Sequence, residues 1–275
     1  MSIAPAPLVR PELLKGLRRH ALRIAREAGA LLLSRWRTPL PVRKKGAIDL
    51  VTELDTASET LIRERLLAHY PDVPVVAEEQ GGSAPAAGLV WYVDPLDGTT
   101  NFAHGHPFFA VSIALCDGRE PLVGVVVAPA LNTVHAAARG LGAERNGEPC
   151  EVAKTTHLAD ALGATGFPYD RATNPDNNLR EFAALKLKTR GVRRCGSAAL
   201  DLCLVADGTY GFYWEQRLAP WDLAAGACIV AEAGGRVTDW SGAPFEPRVG
   251  QIAATNGPLH DELLAALRAV REGAP

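Results

Sequence analysis

A series of short β-type segments in the first half of the chain constrains the fold most. Residues 108–116 and 122–127 are rich in apolar and β-branched side chains, and the Asp117-Gly118 pair between them is a typical hairpin turn. Residues 133–138 and the Asn146-Gly147 turn continue the series in the same manner. This half of the chain therefore predicts an antiparallel sheet.

Helical patterns surround these strands. Apolar residues recur at helical spacing over residues 11–36, between Pro11 and Pro39. A second helix is predicted to run to His69, with Thr56 and Glu59 as its capping box. In the second half, strands and helices alternate, with strands near 161–166, 209–214, 236–238 and 251–254 and helices near 179–188, 223–233 and 259–271. The pattern as a whole indicates an α/β protein of the α+β type.

Composition narrows the possible partners and compartment. The 275 residues are 47% hydrophobic and carry a formal net charge of -2, so nucleic acid is not the expected partner. The five cysteines are odd in number and form no C-x-x-C pair, which favours reduced thiols. No apolar run reaches the length of a signal peptide core or a transmembrane helix. We therefore expect a cytoplasmic protein without a membrane partner.

Two aspartates follow the predicted strand at residues 89–93. Pro95 cannot extend a strand ladder, so we expect the strand to stop and Asp94 and Asp97 to lie in a loop. Gly98 and Thr99 then begin a helix, whose free N–H groups suit a phosphate. An ordinary turn with two solvated aspartates is the alternative interpretation.

Further acids stand at other strand ends and helix starts. Glu78 and Glu79 follow the apolar run 73–77, and because neighbours on a strand point to opposite faces, we expect only one of them to face a cleft. Asp222 and Asp55 could each be a helix cap and nothing more. Taken together, carboxylates without His or Cys ligands select Mg²⁺ or Mn²⁺, and two such ions can support an in-line phosphoryl transfer.

Four segments carry a resemblance to a known family: DLVTELD at 49–55, VAEE at 76–79, WYVDPLDGTTNF at 91–102 and WDLAAG at 221–226. With these segments the sequence resembles the inositol monophosphatase family over nearly its whole length. The resemblance implies the layered α/β/α/β/α sandwich of the inositol monophosphatase and fructose-1,6-bisphosphatase type. It also implies a Mg²⁺-dependent, lithium-sensitive phosphatase that is commonly a homodimer.

The resemblance also assigns metal and catalytic residues. One Mg²⁺ would be held by Glu78, Asp94 and the carbonyl group of Leu96, and a second by Asp94, Asp97 and Asp222. A third, weaker ion would lie near Glu78, and Mn²⁺ is a possible substitute. Gly98 and Thr99 would bind the phosphate through their N–H groups. The catalytic residues would be Glu78, Asp55 and Thr99, with Thr99 and Asp55 helping to orient the nucleophilic water.

The predicted alcohol pocket draws on both halves of the chain, and its residues are Asp97, Gly196, Ser197, Ala198, Glu215 and Asp222. Lys44 and Glu79 are predicted close to the metals. Residues 1–10 are expected to be a flexible tail, residues 11–152 to carry most metal ligands, and residues 153–275 to carry Asp222 and the substrate pocket.

The expected reaction is hydrolysis of a small-molecule phosphate monoester, with inositol 1-phosphate as the first candidate because Glu215 suits a polyhydroxylated alcohol. Histidinol phosphate, fructose 1,6-bisphosphate and a nucleotide 3′-phosphate remain alternatives. A regulatory binding protein that keeps the phosphatase fold is the non-enzymatic alternative.

Overall fold

The computed structural model describes residues 10–38, 42–44 and 50–273, with the backbone alone at 42–44 and 50–52. Apart from Arg10, the predicted tail lies outside these residues. The helices are α1 (Pro11–Arg35), α2 (Glu53–His69), α3 (Thr99–Ala103), α4 (Leu179–Lys188), α5 (Ala198–Ala206), α6 (Pro220–Glu232) and α7 (His260–Arg271). None of the described helices combines the length and apolar character needed to span a bilayer.

A seven-stranded sheet occupies the first half of the chain. Its strands, in spatial order, are β3 (Val75–Ala77), β4 (Leu89–Asp97), β5 (Ala110–Asp117), β6 (Glu120–Ala128), β7 (Thr133–Ala138), β8 (Ala143–Arg145) and β9 (Glu148–Pro149). β3 pairs with β4 in parallel, and the remaining pairs are antiparallel. β5 and β6 form the hairpin predicted at Asp117-Gly118, so the predicted antiparallel series is confirmed.

A five-stranded sheet occupies the second half of the chain. Its strands, in spatial order, are β11 (Gly191–Arg193), β10 (Leu162–Thr165), β12 (Phe212–Gln216), β14 (Gln251–Thr255) and β13 (Arg236–Thr238). β10 runs parallel to both β11 and β12, and the other pairs are antiparallel. The short strands β1 (Val42–Lys44) and β2 (Leu50–Thr52) pair antiparallel by themselves.

The helices and sheets form five layers. α1 and α2 pack on one face of the large sheet, α5 and α6 fill the space between the two sheets, and α4 and α7 cover the outer face of the small sheet. Because α6 is covered from both sides, every residue from Leu223 to Val230 is buried. The predicted α/β/α/β/α sandwich is confirmed. The division at residue 152 stays a prediction, since α5 and α6 pack against both sheets.

Strand β4 differs from the sequence prediction at the two aspartates. It does not stop at Val93 but continues through Pro95 to Asp97. Asp94 pairs with Ser112 and Asp97 with Ala110, so Pro95 and Leu96 together oppose the single residue Val111. This is a β-bulge, which accommodates a proline that cannot donate to the ladder. The predicted loop was therefore wrong.

The bulge has a consequence for side-chain direction. Residues three apart on a regular strand point to opposite faces. The bulge inserts one extra residue between the two aspartates, so Asp97 faces the central helical layer as Asp94 does. Leu96 packs in the core beneath α1 and α2. One inserted residue thus places both carboxylates on the same face of the sheet.

The start of α2 also differs from the prediction. The helix begins at Glu53, so Thr56 lies inside it and the predicted capping box is wrong. The buried Glu59 carboxylate instead accepts hydrogen bonds from the backbone N–H groups of Glu79 at 2.7 Å and Gln80 at 3.0 Å. Glu59 therefore fixes the turn that follows β3.

Candidate active site

A cleft of about 280 Å³ lies where β4, the start of α5 and the start of α6 meet. It brings together predicted site residues from both halves of the chain: Glu78, Asp94, Leu96, Asp97, Gly98, Thr99, Gly196, Ser197, Ala198, Glu215 and Asp222. Asp55 and Glu79 are not among the residues that line it. Residues far apart in sequence are therefore gathered as the combined metal and substrate prediction requires.

Asp94 is a buried acid of the cleft with other carboxylates around it. It is 2% exposed, and its Oδ1 accepts a hydrogen bond from the backbone N–H of Leu96 at 2.9 Å. Burial raises the pKa of Asp94 well above its usual value, and the charges of Glu78, Asp97 and Asp222 raise it further. These acids are therefore close enough to repel one another.

Asp97 is held by the beginning of α5. Its Oδ2 accepts hydrogen bonds from the Ser197 hydroxyl at 2.6 Å and from the Ala199 backbone N–H at 2.8 Å. Burial raises the pKa of Asp97 to about 6, although these hydrogen bonds favour the charged form. The contacts join the bulge of the large sheet to the central helices.

Asp222 is the third residue of α6 rather than the residue before a helix. Its Oδ2 accepts a hydrogen bond from the Ala219 backbone N–H at 2.7 Å, so it does stabilise the helix start. It also lines the cleft, and burial together with the charges of Asp97 and Glu78 raises its pKa well above the usual value. Asp222 therefore both caps the start of α6 and presents a carboxylate to the cleft.

Thr99 connects the cleft to a buried acid outside it. Its Oγ1 lies 3.0 Å from Asp55 Oδ1 and 3.0 Å from the Leu96 carbonyl oxygen, and both atoms accept from the hydroxyl. Asp55 is fully buried in the first turn of α2. When the hydroxyl donates its single proton to Asp55, which lies outside the cleft, the oxygen lone pairs of Thr99 are free to accept a hydrogen bond.

Gly98 and Asn101 fix the chain after the bulge. Gly98 has a φ of 94°, and a Cβ there would lie 2.9 Å from the Phe108 carbonyl oxygen, so the position requires glycine. The Asn101 amide nitrogen donates to the Phe108 carbonyl at 2.6 Å and to the Cys195 carbonyl at 2.8 Å. The residues after the aspartates are therefore tied to the loop that precedes α5.

Glu215 stands at the end of β12 and is 7% exposed. Its carboxylate accepts a hydrogen bond from the Tyr213 hydroxyl, and burial raises its pKa to about 7. A Cβ on Gly166 would lie only 2.1 Å from Glu215 Oε1, so the backbone of Gly166 lies directly against this carboxylate. The absence of a side chain at residue 166 leaves the room that Glu215 occupies.

With this geometry in place, comparison with known proteins identifies the family. The model of the inositol monophosphatase family matches residues 14–272. The chain belongs to the inositol monophosphatase family. Members of this family are phosphoric monoester hydrolases and are generally metal-dependent, and the protein is a phosphatase of this family.

Individual relatives agree with this membership. The inositol-1-monophosphatase of Synechocystis sp. is 44% identical over 271 residues, which cover 98% of this chain and 94% of that protein. The Nus factor SuhB of Pseudomonas aeruginosa is 43% identical over 256 residues, which cover 90% of this chain and 94% of that protein. The structure of the Anabaena inositol monophosphatase superposes with a TM-score of 0.86 at 42% identity and covers 93% of this chain and 96% of that chain.

The acidic side chains that line the cleft are suitable ligands for a hard divalent cation. Among the described residues, no group of three or more His, Cys, Asp or Glu side chains is already gathered as a metal-binding cluster. The charges of Glu78 and Asp97 nevertheless raise the pKa of both Asp94 and Asp222, and a divalent cation would relieve that repulsion. Mg²⁺ accepts such an open set of carboxylates because it retains water and shares substrate phosphate oxygens. The donor set therefore fits Mg²⁺.

Glu79 and Lys44 were predicted to lie close to the metals, and the structure describes the side chain of Glu79 alone. Of the adjacent glutamates, Glu78 lines the cleft and Glu79 does not. Both glutamates follow β3 in a turn that Glu59 holds. Their different directions therefore come from this turn and not from the alternation of side chains along a strand that the sequence suggested. Lys44 is in β1, but its side chain lies outside the described residues.

Sequence reasoning missed several cleft residues in this family member. Arg194, Asp201 and Arg217 all line the cleft, as does Tyr169 of the polar loop 169–178 that the sequence predicted to overhang a cleft. Arg217 is paired with Asp170 at 2.6 Å, and Tyr169 belongs to the polar loop after β10. Asp201 falls one helical turn after Ser197, and this position on a helix that begins at the cleft was the signal available in the sequence.

Proposed function

We propose that the protein hydrolyses inositol 1-phosphate to inositol and phosphate with Mg²⁺ and without a covalent intermediate. The observation that carries the proposal is that Glu78, Asp94, Asp97 and Asp222 share one cleft with Gly98, Thr99 and Glu215. The Synechocystis relative is named inositol-1-monophosphatase, and this name supports the choice of substrate.

In this proposal the cleft acids divide between two ions. Glu78, Asp94 and the Leu96 carbonyl oxygen would hold one, Asp94, Asp97 and Asp222 would hold the other, and a third, weaker ion would lie near Glu78. When bound, Mg²⁺ supplies the Lewis-acid chemistry that lowers the pKa of water and neutralises phosphate charge. Mn²⁺ would substitute because it prefers the same oxygen donors.

The residues around the aspartates would orient the reactants. Asp55 accepts the proton of the Thr99 hydroxyl, so Thr99 Oγ1 would accept a hydrogen bond from the attacking water. The N–H groups of Gly98 and Thr99 would bind phosphate oxygens, and Glu78 would take part as an acid that faces both water and metal. No nucleophilic side chain is needed, because positioning and charge stabilisation account for phosphoryl transfer.

The alcohol would lie against the start of α5 and the end of β12. Glu215, Asp97 and Asp222, with the small residues Gly196, Ser197 and Ala198, would surround it. Glu215 favours a polyhydroxylated alcohol because one carboxylate can accept hydrogen bonds from neighbouring hydroxyl groups. Lys44 and Glu79 would act from a greater distance, near the metals.

A substrate panel tests the proposal. The purified full-length protein is assayed with inositol 1-phosphate, histidinol phosphate, fructose 1,6-bisphosphate and a nucleotide 3′-phosphate, with Mg²⁺, with Mn²⁺, with EDTA and with added Li⁺. We expect the highest kcat/KM for inositol 1-phosphate, no activity in EDTA and inhibition by Li⁺. Much faster turnover of histidinol phosphate or of another panel member would overturn the substrate assignment.

A regulatory binding role is the second candidate, and the name of the Pseudomonas relative favours keeping it. The cleft speaks against a purely non-catalytic role, because a binding module has no need of Glu78, Asp94, Asp97 and Asp222 together. Absence of turnover on every panel member in the presence of Mg²⁺ would favour this candidate. A homodimer and a cytoplasmic location stay predictions, and sedimentation velocity would test the first.

A further inference from the structure

Tyr169 is an exposed aromatic side chain at the cleft that the proposed mechanism does not use. All Phe, Tyr and Trp residues of the chain lie in the described segments, and among them Tyr169 alone is exposed, with 61% of its surface accessible. It lines both the main cleft and an adjoining cleft of about 440 Å³. A ligand that enters the main cleft can therefore reach the Tyr169 ring.

The other large apolar side chains of the cleft are less accessible. Leu96, Phe167, Leu218 and Trp221 also line it, but each of them is buried or half-buried. The Phe167 ring packs edge-to-face on Phe182 of α4, with the ring centroids 5.5 Å apart. Tyr169 is therefore the one large apolar side chain of this cleft that is exposed.

The chain connections place Tyr169 at the Glu215 side of the cleft. The backbone of Gly166, three residues before Tyr169, lies directly against the Glu215 carboxylate. The next residue after Tyr169, Asp170, pairs with Arg217 at 2.6 Å. Arg217 follows Glu215 by two positions and also lines the cleft. The loop is thus joined to the end of β12 on both sides of Tyr169.

Further hydrogen bonds hold this loop in place. The Asn177 side chain donates to the Arg171 carbonyl at 3.0 Å. The buried Asn178 side chain donates to the Gly166 carbonyl at 2.7 Å and accepts from the Trp214 indole nitrogen at 2.8 Å. A side chain on a loop that is held in this way loses less conformational entropy when it contacts a ligand. Tyr169 is therefore well placed to contribute to binding.

We propose that Tyr169 is a specificity-determining residue whose ring packs against the C–H face of a cyclic polyol phosphate. The inference rests on the proposed phosphatase function and names the class of alcohol, a ring of hydroxyl-bearing carbons. Such a ring carries most hydroxyl groups at its edge and carbon-bound hydrogens on its faces. Glu215 accepts hydrogen bonds from the edge, and the apolar, electron-rich face of the Tyr169 ring packs on the C–H face.

The test compares two phosphate esters of secondary alcohols in the wild-type protein, Tyr169→Ala and Tyr169→Phe, with Mg²⁺ present. Inositol 1-phosphate contains the ring, whereas glycerol 2-phosphate has hydroxyl groups on both neighbouring carbons and no ring. We expect Tyr169→Ala to lower the ratio of their kcat/KM values about fivefold, through KM for inositol 1-phosphate and with kcat unchanged. Tyr169→Phe keeps the aromatic ring, so its ratio should stay within about twofold of wild type.

Leu187→Ala is the matched control. Leu187 lies on α4, is 88% exposed and does not line the cleft. The variant also removes a large exposed apolar side chain, and its substrate ratio should equal that of wild type. Thermal unfolding of all variants separates loss of fold from loss of recognition, and Tyr169→Phe keeps the test valid even if the alanine variant unfolds.

Asp170→Ala tests whether the loop positions Tyr169. The variant removes the pair with Arg217, so the ratio should fall, though less than in Tyr169→Ala. In the double variant the ratio should be no lower than in Tyr169→Ala alone, because both changes act through the same contact. An unchanged ratio in Asp170→Ala, or a further fall in the double variant, would overturn the positioning role of Asp170.

The outcomes for Tyr169 are distinct. An unchanged ratio in Tyr169→Ala, or an equal loss on both substrates, would overturn its role while leaving the proposed function intact. A ratio that falls equally in Tyr169→Phe would place the contact at the phenol hydroxyl group and overturn the packing proposal. Hydrolysis of glycerol 2-phosphate without hydrolysis of inositol 1-phosphate by the wild-type protein would overturn both the inference and the proposed function. A lowered ratio in the alanine variant alone supports packing against the ring.

Discussion

The two ends of the cleft are built differently. At the end where we propose that metal binds, Asp94, Asp97 and Asp222 each have an oxygen held by a backbone N–H group of the β4 bulge or of a helix start. At the end where we propose that the alcohol binds, Glu215 comes from β12, and its carboxylate accepts a hydrogen bond from the Tyr213 hydroxyl. The comparison indicates that backbone groups hold the carboxylates at one end, whereas a side-chain hydroxyl group holds Glu215 at the other.

The largest expected effect comes from breaking the metal end. Asp94→Asn keeps the shape of the side chain and removes the charge that both proposed ions share. We expect kcat to fall by at least about 10³-fold, since the proposed metal chemistry would be lost. The unfolding temperature in EDTA should equal or exceed that of wild type, because burial and three neighbouring acids already disfavour the charge of Asp94.

Asp160→Asn is the control for this variant, because Asp160 is exposed, pairs with Arg190 and is not among the residues that line the cleft. Its kcat should match wild type. Substantial hydrolysis by Asp94→Asn would contradict the two-metal proposal.

Glu215, at the proposed alcohol end, should make the stability of the protein depend on pH. The folded-state pKa of Glu215 is raised to about 7, so the folded protein retains a proton that the unfolded chain releases near its ordinary pKa. Stability is therefore lost as the pH rises through 7. Glu215→Gln removes this loss, and in EDTA we expect it to stabilise the protein by up to ~3 kcal/mol at pH 8, with little effect at pH 5.

Urea unfolding at the two pH values measures this difference. A stability gain that is the same at pH 5 and pH 8 would show that Glu215 does not titrate in this range. The Gln side chain can still accept from Tyr213, so that contact is preserved in the comparison.

Thr99 lines the cleft and contacts Asp55 and the Leu96 carbonyl oxygen, and its variants test the proposed orientation of water. Thr99→Val removes the hydroxyl group that contacts Asp55, whereas Thr99→Ser keeps it. We expect kcat to fall about 100-fold in the valine variant, with KM nearly unchanged, and to stay near wild type in the serine variant. Equal losses in both variants would point to a packing role for the missing methyl group or the altered shape.

The smallest effect is expected from Gly166→Ala. The added Cβ would meet the Glu215 carboxylate at 2.1 Å, so Glu215 must move. We expect KM for inositol 1-phosphate to rise about tenfold, while the metal end and kcat change little. A change in kcat alone would place Glu215 in the chemical step rather than in alcohol binding.

Gly16→Ala is the matched control for this glycine. Gly16 lies inside α1, and a Cβ there would meet nothing within 4 Å. Alanine should therefore leave KM unchanged and add roughly 0.5–1 kcal/mol of stability through helix propensity.

Much of the molecule could be predicted from local sequence. α4 has the predicted bounds, the β5–β6 hairpin follows from Asp117-Gly118, and the segments around residues 91–102 and 221–226 identify the family. These features succeed because hydrophobic period, turn residues and contiguous motifs are properties of short stretches of chain. These two segments also contain Asp94, Asp97 and Asp222, three of the four acids that we propose as metal ligands.

Tertiary structure alone decided the rest. The bulge at Pro95 and Leu96 depends on the register with β5, and that register, rather than the spacing of the acids, puts Asp94 and Asp97 on one face. Likewise, Asp201 is an ordinary helical aspartate in the sequence and becomes a buried acceptor only because α5 packs between two sheets. Local pattern therefore identified the family and the candidate residues, and long-range packing determined which way their side chains point.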